Sequence, residues 1–242
     1  MENNEREAAD NFTRAEFTRE NLDRFIIRTN IFNSITASAK HFSGTLLDIG
    51  CGKMPYKKYI LNNSAVTKYI GLDIETALEY ESAIKPDFTW NGIVMPFEQD
   101  SFETAFGTEV LEHCPRPEII LTEVFRVLKP GASFFFTVPF LWPLHEVPHD
   151  EYRYTPFSME RLLKEAGFTN IKINAFGGWH SSLAQMLGLW VRRAPINPSK
   201  RKILSYLLKP VIGLLIKKDN KISFEFTEGQ MITGLYGIAY KP

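Results

Sequence analysis

The chain has 242 residues and lacks features that mark several classes of protein. Its two cysteines, Cys51 and Cys114, argue against a disulfide framework and a cysteine-rich zinc site. Its net charge of zero, from 28 basic and 28 acidic residues, argues against a broad nucleic-acid interface, and we expect no nucleic-acid partner. Residues 1–10 are acidic and polar, unlike a signal peptide, so we expect a cytoplasmic protein.

Two predicted strand tips carry the strongest positive signal. Residues 45–48 have the pattern of a buried strand, and Gly50 and Gly52 end it with backbone N–H groups that no Cβ shields. A second predicted strand, 69–73, ends in Asp73, whose carboxylate can accept hydrogen bonds from both hydroxyls of a ribose. Because the carboxyl ends of parallel strands meet at the ligand-binding edge of a sheet, this pattern predicts a site for a nucleoside-bearing cofactor.

The glycine turn lacks the residues that bind a pyrophosphate, and this limits which cofactors it can hold. Pro55 stands where a dinucleotide-binding fingerprint requires its third glycine, and the chain has no phosphate-binding Gly-Lys-Ser/Thr loop. The sequence therefore predicts no cradle for a pyrophosphate. S-adenosylmethionine contains a ribose and an adenine but no phosphate, and it fits the residues that are present.

Five motifs in order make the chain resemble the class I S-adenosylmethionine-dependent methyltransferases over about residues 45–168. They are residues 47–52, 71–73, 95–102, 109–113 and 126–131. The resemblance implies methyl transfer and an α/β fold, with a Rossmann-like, seven-stranded, mostly parallel sheet and helices on both faces. The continuous apolar run 132–138 agrees, because a parallel strand covered on both faces is apolar throughout.

The segment 177–230 is too long for a simple hairpin connection and holds apolar helical patterns bracketed by basic residues. We interpret it as a helical cap inserted before the last strand. The chain is then predicted to comprise an N-terminal helical segment (1–40), the methyltransferase core (41–176), the cap (177–230) and a last core strand (231–242).

The resemblance implies a set of cofactor-binding residues. In this set Asp48 would reach the methionine amine, and Ile74 would lie against the adenine. The amide oxygen of Asn91 would accept a hydrogen bond from the adenine amino group, although an ordinary Asn-Gly turn is the alternative. Met54 replaces a third glycine that the family usually has. The full set is Asp48, Gly50, Cys51, Gly52, Asp73, Ile74, Asn91, Gly92, Thr108 and Glu109.

Further residues resemble a bacterial subgroup that is often associated with surface-glycan or other cell-envelope biosynthesis. They are residues 139–140, 145–146, 148–150, 152–155 and 165–168. The resemblance implies that the methyl acceptor is an oxygen, or less readily a nitrogen, of a small-molecule or glycan-like compound. The alternative is a non-catalytic cofactor- or partner-binding module on the same fold.

The polar loop after the predicted fifth strand supplies the catalytic candidates. His145 and His149 are candidate general bases, with Asp150 beside them. Residues 145–149 also spell His-Glu-x-x-His, but Pro143 and Pro148 oppose the continuous helix that a zinc protease needs, so no metal is predicted. Arg153 suits a carboxylate or phosphate of the acceptor. The candidate substrate-binding residues are His113, Tyr152, Arg153 and Tyr154.

Two interpretations of the apolar stretch 203–216 stay open. The stretch is too short to span a bilayer, and Lys209 and Pro210 interrupt it. It suits either a peripheral membrane contact, as a lipid-linked substrate would require, or a buried or dimer-forming helix. The sequence does not decide the oligomeric state.

Overall fold

The computed structural model of the protein describes residues 12–75, 85–219 and 225–242. Seven strands form one sheet: β1 (Ser43–Ile49), β2 (Ala65–Ile74), β3 (Phe88–Trp90), β4 (Phe102–Thr108), β5 (Leu128–Pro139), β6 (Thr169–Phe176) and β7 (Gly234–Tyr240). Their order is β3-β2-β1-β4-β5-β7-β6. Strands β1 to β5 pair in parallel, and β7 runs antiparallel to both β5 and β6. The predicted fold class is confirmed.

Helices cover both faces of the sheet. They are α1 (Phe25–Ser38), α2 (Lys57–Asn63), α3 (Pro117–Val127), α4 (Pro156–Glu165), α5 (Trp179–Arg193) and α6 (Pro198–Lys218). Phe134 and Phe136 of β5 lie in an apolar cluster with α3 and α4, whereas Phe135 lies in a second cluster with α1. This alternation explains the continuous apolar run, because successive side chains of a strand point to opposite faces.

Several elements differ from the predicted bounds. β2 begins at Ala65 rather than at residue 69, because its first half is largely exposed and carries no apolar run. Helix α2 begins at Lys57, so Pro55 belongs to the preceding turn rather than to the first helical position. The last strand begins at Gly234 rather than Met231. The predicted extra strand at 221–227 lies mainly outside the described residues.

The predicted cap and the N-terminal segment are in direct contact. Helices α5 and α6 pack against each other and share an apolar cluster with Leu22 and Ile26. A Cβ added at Gly188 of α5 would lie 2.2 Å from the carbonyl oxygen of Leu22, so this crossing requires glycine. Arg193 Nε donates to Asp23 Oδ2 at 2.6 Å and holds the end of α5 on the same segment.

Candidate active site

The glycine turn at the tip of β1 has the backbone that its sequence predicts. Gly50 and Gly52 have φ angles of +62° and +48°, in the left-handed region that favours glycine. A Cβ at Gly50 would lie 2.6 Å from Cγ2 of Val110, so a side chain has no space there. Met54 also has a positive φ of +48°, and its side chain packs against Gly71 of β2. The missing third glycine is thus replaced by a methionine in a strained conformation.

Asp73 at the tip of β2 is hydrogen-bonded to the glycine turn. Its Oδ2 accepts from the backbone N–H of Gly52 at 2.9 Å, and its Oδ1 accepts from Ile74 N–H at 2.9 Å. A carboxylate has about four acceptor positions, so both oxygens keep capacity for ribose hydroxyls. Ile74 is exposed beside it and offers an apolar surface for a base. The residues present therefore fit a nucleoside at this edge.

Two predicted cofactor residues are buried beneath the turn. Asp48 Oδ2 accepts a hydrogen bond from the Tyr69 hydroxyl at 2.6 Å, and burial raises the pKa of Asp48 to about 8. Cys51 donates its backbone N–H to Leu72 O at 3.1 Å, and burial raises the pKa of its thiol. These two hydrogen bonds connect the glycine turn to β2. The bond from Tyr69 uses one carboxylate oxygen of Asp48 and leaves the other oxygen without this partner.

Asn91 forms the local turn that was the alternative to adenine recognition. Its Oδ1 accepts from the backbone N–H groups of Ile93 at 2.9 Å and Val94 at 3.2 Å. Gly92 has a φ of +77° with open space around its Cα. The amide oxygen thus already has two donors within this turn, and the contact of Asn91 and Gly92 with the adenine stays a prediction.

The tip of β4 places an acidic side chain beside β5. Thr108 is the last residue of β4, and Glu109 follows with a φ of +55°. Glu109 donates its N–H to Thr137 O at 3.0 Å, and its Oε1 accepts from Thr137 Oγ1 at 2.8 Å. Burial raises the pKa of Glu109 to about 7. Val110 next along the chain fills the space at Gly50, so this tip adjoins the glycine turn.

Glu112 is a fully buried acid that the sequence did not single out. Among the described residues neither of its carboxylate oxygens has a hydrogen-bond partner. Burial and the nearby Glu109 raise the pKa of Glu112 well above its usual range. Its backbone carbonyl accepts from Glu151 N–H at 2.8 Å and Tyr152 N–H at 3.1 Å, which ties the polar loop to the end of β4.

The polar loop, residues 140–155, has no helix at 145–149, so the His-Glu-x-x-His pattern does not form a protease motif. Asp150 lies between two partners instead. Arg153 donates from Nη1 to Oδ1 at 2.6 Å and from Nη2 to Oδ2 at 2.8 Å, and His145 Nδ1 lies 3.2 Å from Oδ2. Arg153 holds the pKa of Asp150 well below its usual range, and burial lowers the pKa of His145. Asp150 therefore orients His145 and is not itself a base.

Three predicted substrate-binding residues have structural partners. Arg153 is committed to Asp150 and to loop carbonyls. Tyr154 is buried, and its hydroxyl donates to Leu111 O at 2.8 Å. Tyr152 stacks on Tyr154 and donates to Pro115 O at 3.2 Å, although it keeps an exposed face. Hydrogen bonds within the protein already use the polar groups of Arg153 and Tyr154, so both residues hold the loop, and their contact with an acceptor stays a prediction.

The remaining predicted groups come together at the loop. His113 and His145 are in edge contact, with ring centroids 4.7 Å apart, and the backbone carbonyl of His149 lies 2.9 Å from His113 Nδ1. The His149 ring is exposed. Glu146, which sequence reasoning missed, places Oε2 at 3.7 Å from His113 Nε2. Burial raises the pKa of Asp73, and the charge of Glu146 adds to this shift. The loop thus lies near the cofactor edge.

Comparison with known proteins agrees with this geometry. Residues 47–136 match the family profile described as a methyltransferase domain. A fatty-acid O-methyltransferase of Mycolicibacterium smegmatis is 25% identical over 158 residues, which cover 60% of this chain and 54% of that protein. The chain thus spans about half the length of this relative.

Two solved structures share the fold. Phosphoethanolamine N-methyltransferase 2 of Haemonchus contortus, in complex with S-adenosyl-L-methionine, has a TM-score of 0.55 at 17% identity and covers 97% of this chain and 60% of that chain. The [4+2]-cyclase SpnF has a TM-score of 0.55 at 17% identity and covers 90% of this chain and 83% of that chain. At 17% sequence identity, these two matches show that the fold is shared and do not show that the function is shared.

The strand order and the match over residues 47–136 support a methyltransferase domain with the class I fold. S-adenosylmethionine, which the first of these two structures contains, stays the predicted cofactor of this chain.

Proposed function

We propose that the chain transfers a methyl group from S-adenosylmethionine to an oxygen, or less readily a nitrogen, of a small-molecule or glycan-like acceptor. The observation that carries this proposal is the junction of the two strand tips. The Gly52 N–H and the Asp73 carboxylate meet there at 2.9 Å, and hydrogen bonds from Glu151 N–H and Tyr152 N–H to Glu112 O tie the polar loop to the neighbouring end of β4. Cofactor residues and acceptor-facing residues therefore adjoin at one edge of the sheet.

Different residues of the chain would bind the three parts of the cofactor. Asp73 would hold the ribose hydroxyls, Ile74 would lie against the adenine, and Gly50 and Gly52 would leave room for the methionine part. S-adenosylmethionine supplies an activated methyl group on a sulfonium when bound. The protein contributes mainly by fixing the acceptor in line with that group and by excluding water.

An acceptor hydroxyl must lose its proton when it gains the methyl group. His145 and His149 remain the candidate proton acceptors. His145 is held by Asp150, and burial lowers the pKa of His145, so its ring is neutral near pH 7. His149 has an exposed ring on the same loop. Asp150 would assist by orientation, because Arg153 occupies both of its oxygens and lowers its pKa, which makes it a weak proton acceptor.

A cofactor-consumption screen tests this function. The purified chain is incubated with S-adenosylmethionine and with nucleotide sugars, lipid-linked sugars, small carboxylic acids or fatty acids, and the release of S-adenosylhomocysteine is measured. We expect release with one class and none with Asp73→Ala. Binding of the cofactor without release in any class would favour a non-catalytic module. The [4+2]-cyclase SpnF, which shares this fold, shows that the fold alone does not specify methyl transfer.

We further propose that the cap contacts an anionic membrane surface. Helix α6 buries Ser205 and Ile212 on one side and exposes a second apolar stripe, formed by Ile203, Tyr206, Leu207, Val211 and Leu214. Exposed Lys200, Lys202, Lys217 and Lys218 lie at the two ends of the same helix. An apolar stripe between clusters of positive charge suits the interface of an anionic bilayer. No helix within the described ranges has the length and apolarity needed to cross a bilayer.

Vesicle co-sedimentation tests the membrane contact. We expect the chain to bind vesicles that contain phosphatidylglycerol and to bind pure phosphatidylcholine vesicles weakly. Leu207→Glu should abolish binding, whereas Glu165→Gln on the exposed end of α4 should not. Concentration-dependent dimers that Leu207→Glu dissociates, without vesicle binding by the unchanged chain, would instead establish a dimer-forming helix.

A further inference from the structure

Three side chains that the proposed reaction does not require as a group converge below the polar loop. A carboxylate oxygen of Glu112 and one ring nitrogen each of His113 and His145 lie within 4.8 Å of one another. Glu112 Oε1 is 3.8 Å from His113 Nε2, and a second carboxylate oxygen, Oε2 of Glu146, lies 3.7 Å from the same nitrogen. Two imidazoles and a carboxylate are the donors of many divalent metal sites.

The partners of the two histidines fix which ring nitrogen is free. His113 Nδ1 is 2.9 Å from the backbone carbonyl of His149, and a carbonyl can only accept, so Nδ1 carries the hydrogen. His145 Nδ1 faces the ionised carboxylate of Asp150 at 3.2 Å, which also can only accept. The tautomer that these partners select leaves Nε2 of each ring as the nitrogen available to a metal ion. Metal-binding histidines characteristically donate their other N–H to a carbonyl or a carboxylate.

The burial of Glu112 is the independent observation that points to a ligand. Its side chain has no solvent exposure, and within the described ranges both of its carboxylate oxygens lack a hydrogen-bond partner. Such a group costs free energy unless a partner satisfies it. Arg153, whose charge acts on Glu112, is occupied by Asp150. A cation held between Glu112 and the two imidazoles would supply what the protein itself does not.

We propose that Glu112, His113 and His145 bind a divalent transition-metal ion of the Zn²⁺ type. A tetrahedral ion with ligand bonds of about 2.0–2.1 Å holds its ligands roughly 3.4 Å apart. One possible ligand atom of each residue already lies within 4.8 Å of the other two, so the set must contract by up to about 1.4 Å, with whatever rotation of the rings turns Nε2 towards the ion. His145 lies in a loop without regular secondary structure, which allows this movement.

A three-residue site leaves a coordination position open for an oxygen of the acceptor. This consequence rests on the proposed function, whereas metal binding itself does not. With an ion bound, His145 is a ligand and no longer a proton acceptor, so that role falls to His149. The ion would also explain why a buried acid stands three residues after Glu109, at the edge where the acceptor is expected.

Metal titration of the full chain tests the site. Protein stripped with a chelator is titrated with ZnCl₂ by calorimetry and with CoCl₂ by its ligand-field absorption. We expect one ion per chain, and we expect Glu112→Gln and, separately, His145→Ala to weaken binding more than about 100-fold, because loss of an outer partner alone costs 10–100-fold. The matched control is His149→Ala, which keeps the carbonyl that orients His113 and should leave the metal affinity unchanged.

S-adenosylmethionine binding is measured on each sample to separate this inference from the proposed function. Chain that binds the cofactor but takes up no Zn²⁺ overturns the metal site alone. Stoichiometric Zn²⁺ that both ligand variants retain also overturns it, since the ion is then held elsewhere. Zn²⁺ uptake that both ligand variants lose supports the site even if no methyl acceptor is found.

Discussion

The Tyr69 hydroxyl donates to Oδ2 of Asp48 at 2.6 Å beneath the glycine turn. Tyr69 lies on β2 and Asp48 on β1, so this bond joins the two strands whose tips form the cofactor edge. Burial raises the pKa of Asp48 to about 8 in spite of the bond. Asp48 therefore binds its proton more tightly in the folded chain than in the unfolded chain.

This difference predicts how stability depends on pH. The folded chain keeps the proton of Asp48 between about pH 4 and pH 8, where the unfolded chain has lost it. The contribution of Asp48 to the free energy of unfolding is therefore complete below the unfolded pKa and is lost as pH rises to about 8. Urea denaturation of the unchanged chain and of Asp48→Asn at several pH values measures it. We expect the variant to gain stability relative to the unchanged chain as pH rises, and a constant difference would contradict the prediction.

Asp73 should determine cofactor affinity. Asp73→Asn removes a charged acceptor from the predicted ribose site, and hydrogen bonds to charged groups contribute about 1.5–3 kcal/mol. We expect calorimetric titration with S-adenosylhomocysteine to show binding about 10–150-fold weaker. Asp100→Asn is the matched control, because Asp100 pairs with Lys241 away from the strand tips. Equal losses in the two variants would mean that Asp73 does not contact the ligand.

The cofactor edge could be predicted because its signals are local. A buried strand that ends at Gly50 and Gly52 requires a left-handed turn whatever the rest of the chain does, and the φ angles of +62° and +48° confirm it. The apolar run of β5 likewise reports burial on both faces, and the bounds of β2 were underestimated only where its side chains are exposed.

The use of the polar loop could not be predicted, because it depends on contacts between side chains. His145, Asp150 and Arg153 were recognised as chemically active types, but the sequence does not show that Asp150 and Arg153 satisfy each other. Tyr154 likewise carries a hydroxyl that packing directs to Leu111 O. Glu112 belongs to the recognised motif 109–113, but the sequence assigned it no role, since its burial follows from the way the loop folds over the end of β4.

Arg153 should stabilise the loop rather than bind an acceptor directly. Arg153→Ala leaves the nearly buried carboxylate of Asp150 without its bidentate partner, and loss of a charged hydrogen-bond partner costs about 2–3 kcal/mol. Urea denaturation should show this loss. Arg161→Ala, which breaks an exposed pair with Glu165, should change the free energy of unfolding by less than about 0.5 kcal/mol. If Arg153→Ala were as mild as this control, the ion pair would not hold the loop.

Alanine should destabilise the chain more at Gly50 than at Gly131. Both glycines have a positive φ, but only Gly50 has a side chain next to the position of the added Cβ. Gly131 has a φ of +79° and no atom within 4 Å of an added Cβ, whereas a Cβ at Gly50 would lie 2.6 Å from Val110. Gly131→Ala should cost about 1–2 kcal/mol from left-handed strain alone. Gly50→Ala should cost more, and Val110→Ala in the same chain should recover the excess but not the strain. Urea denaturation of the single and double variants measures the coupling, and purely additive losses would show that Val110 does not constrain the turn.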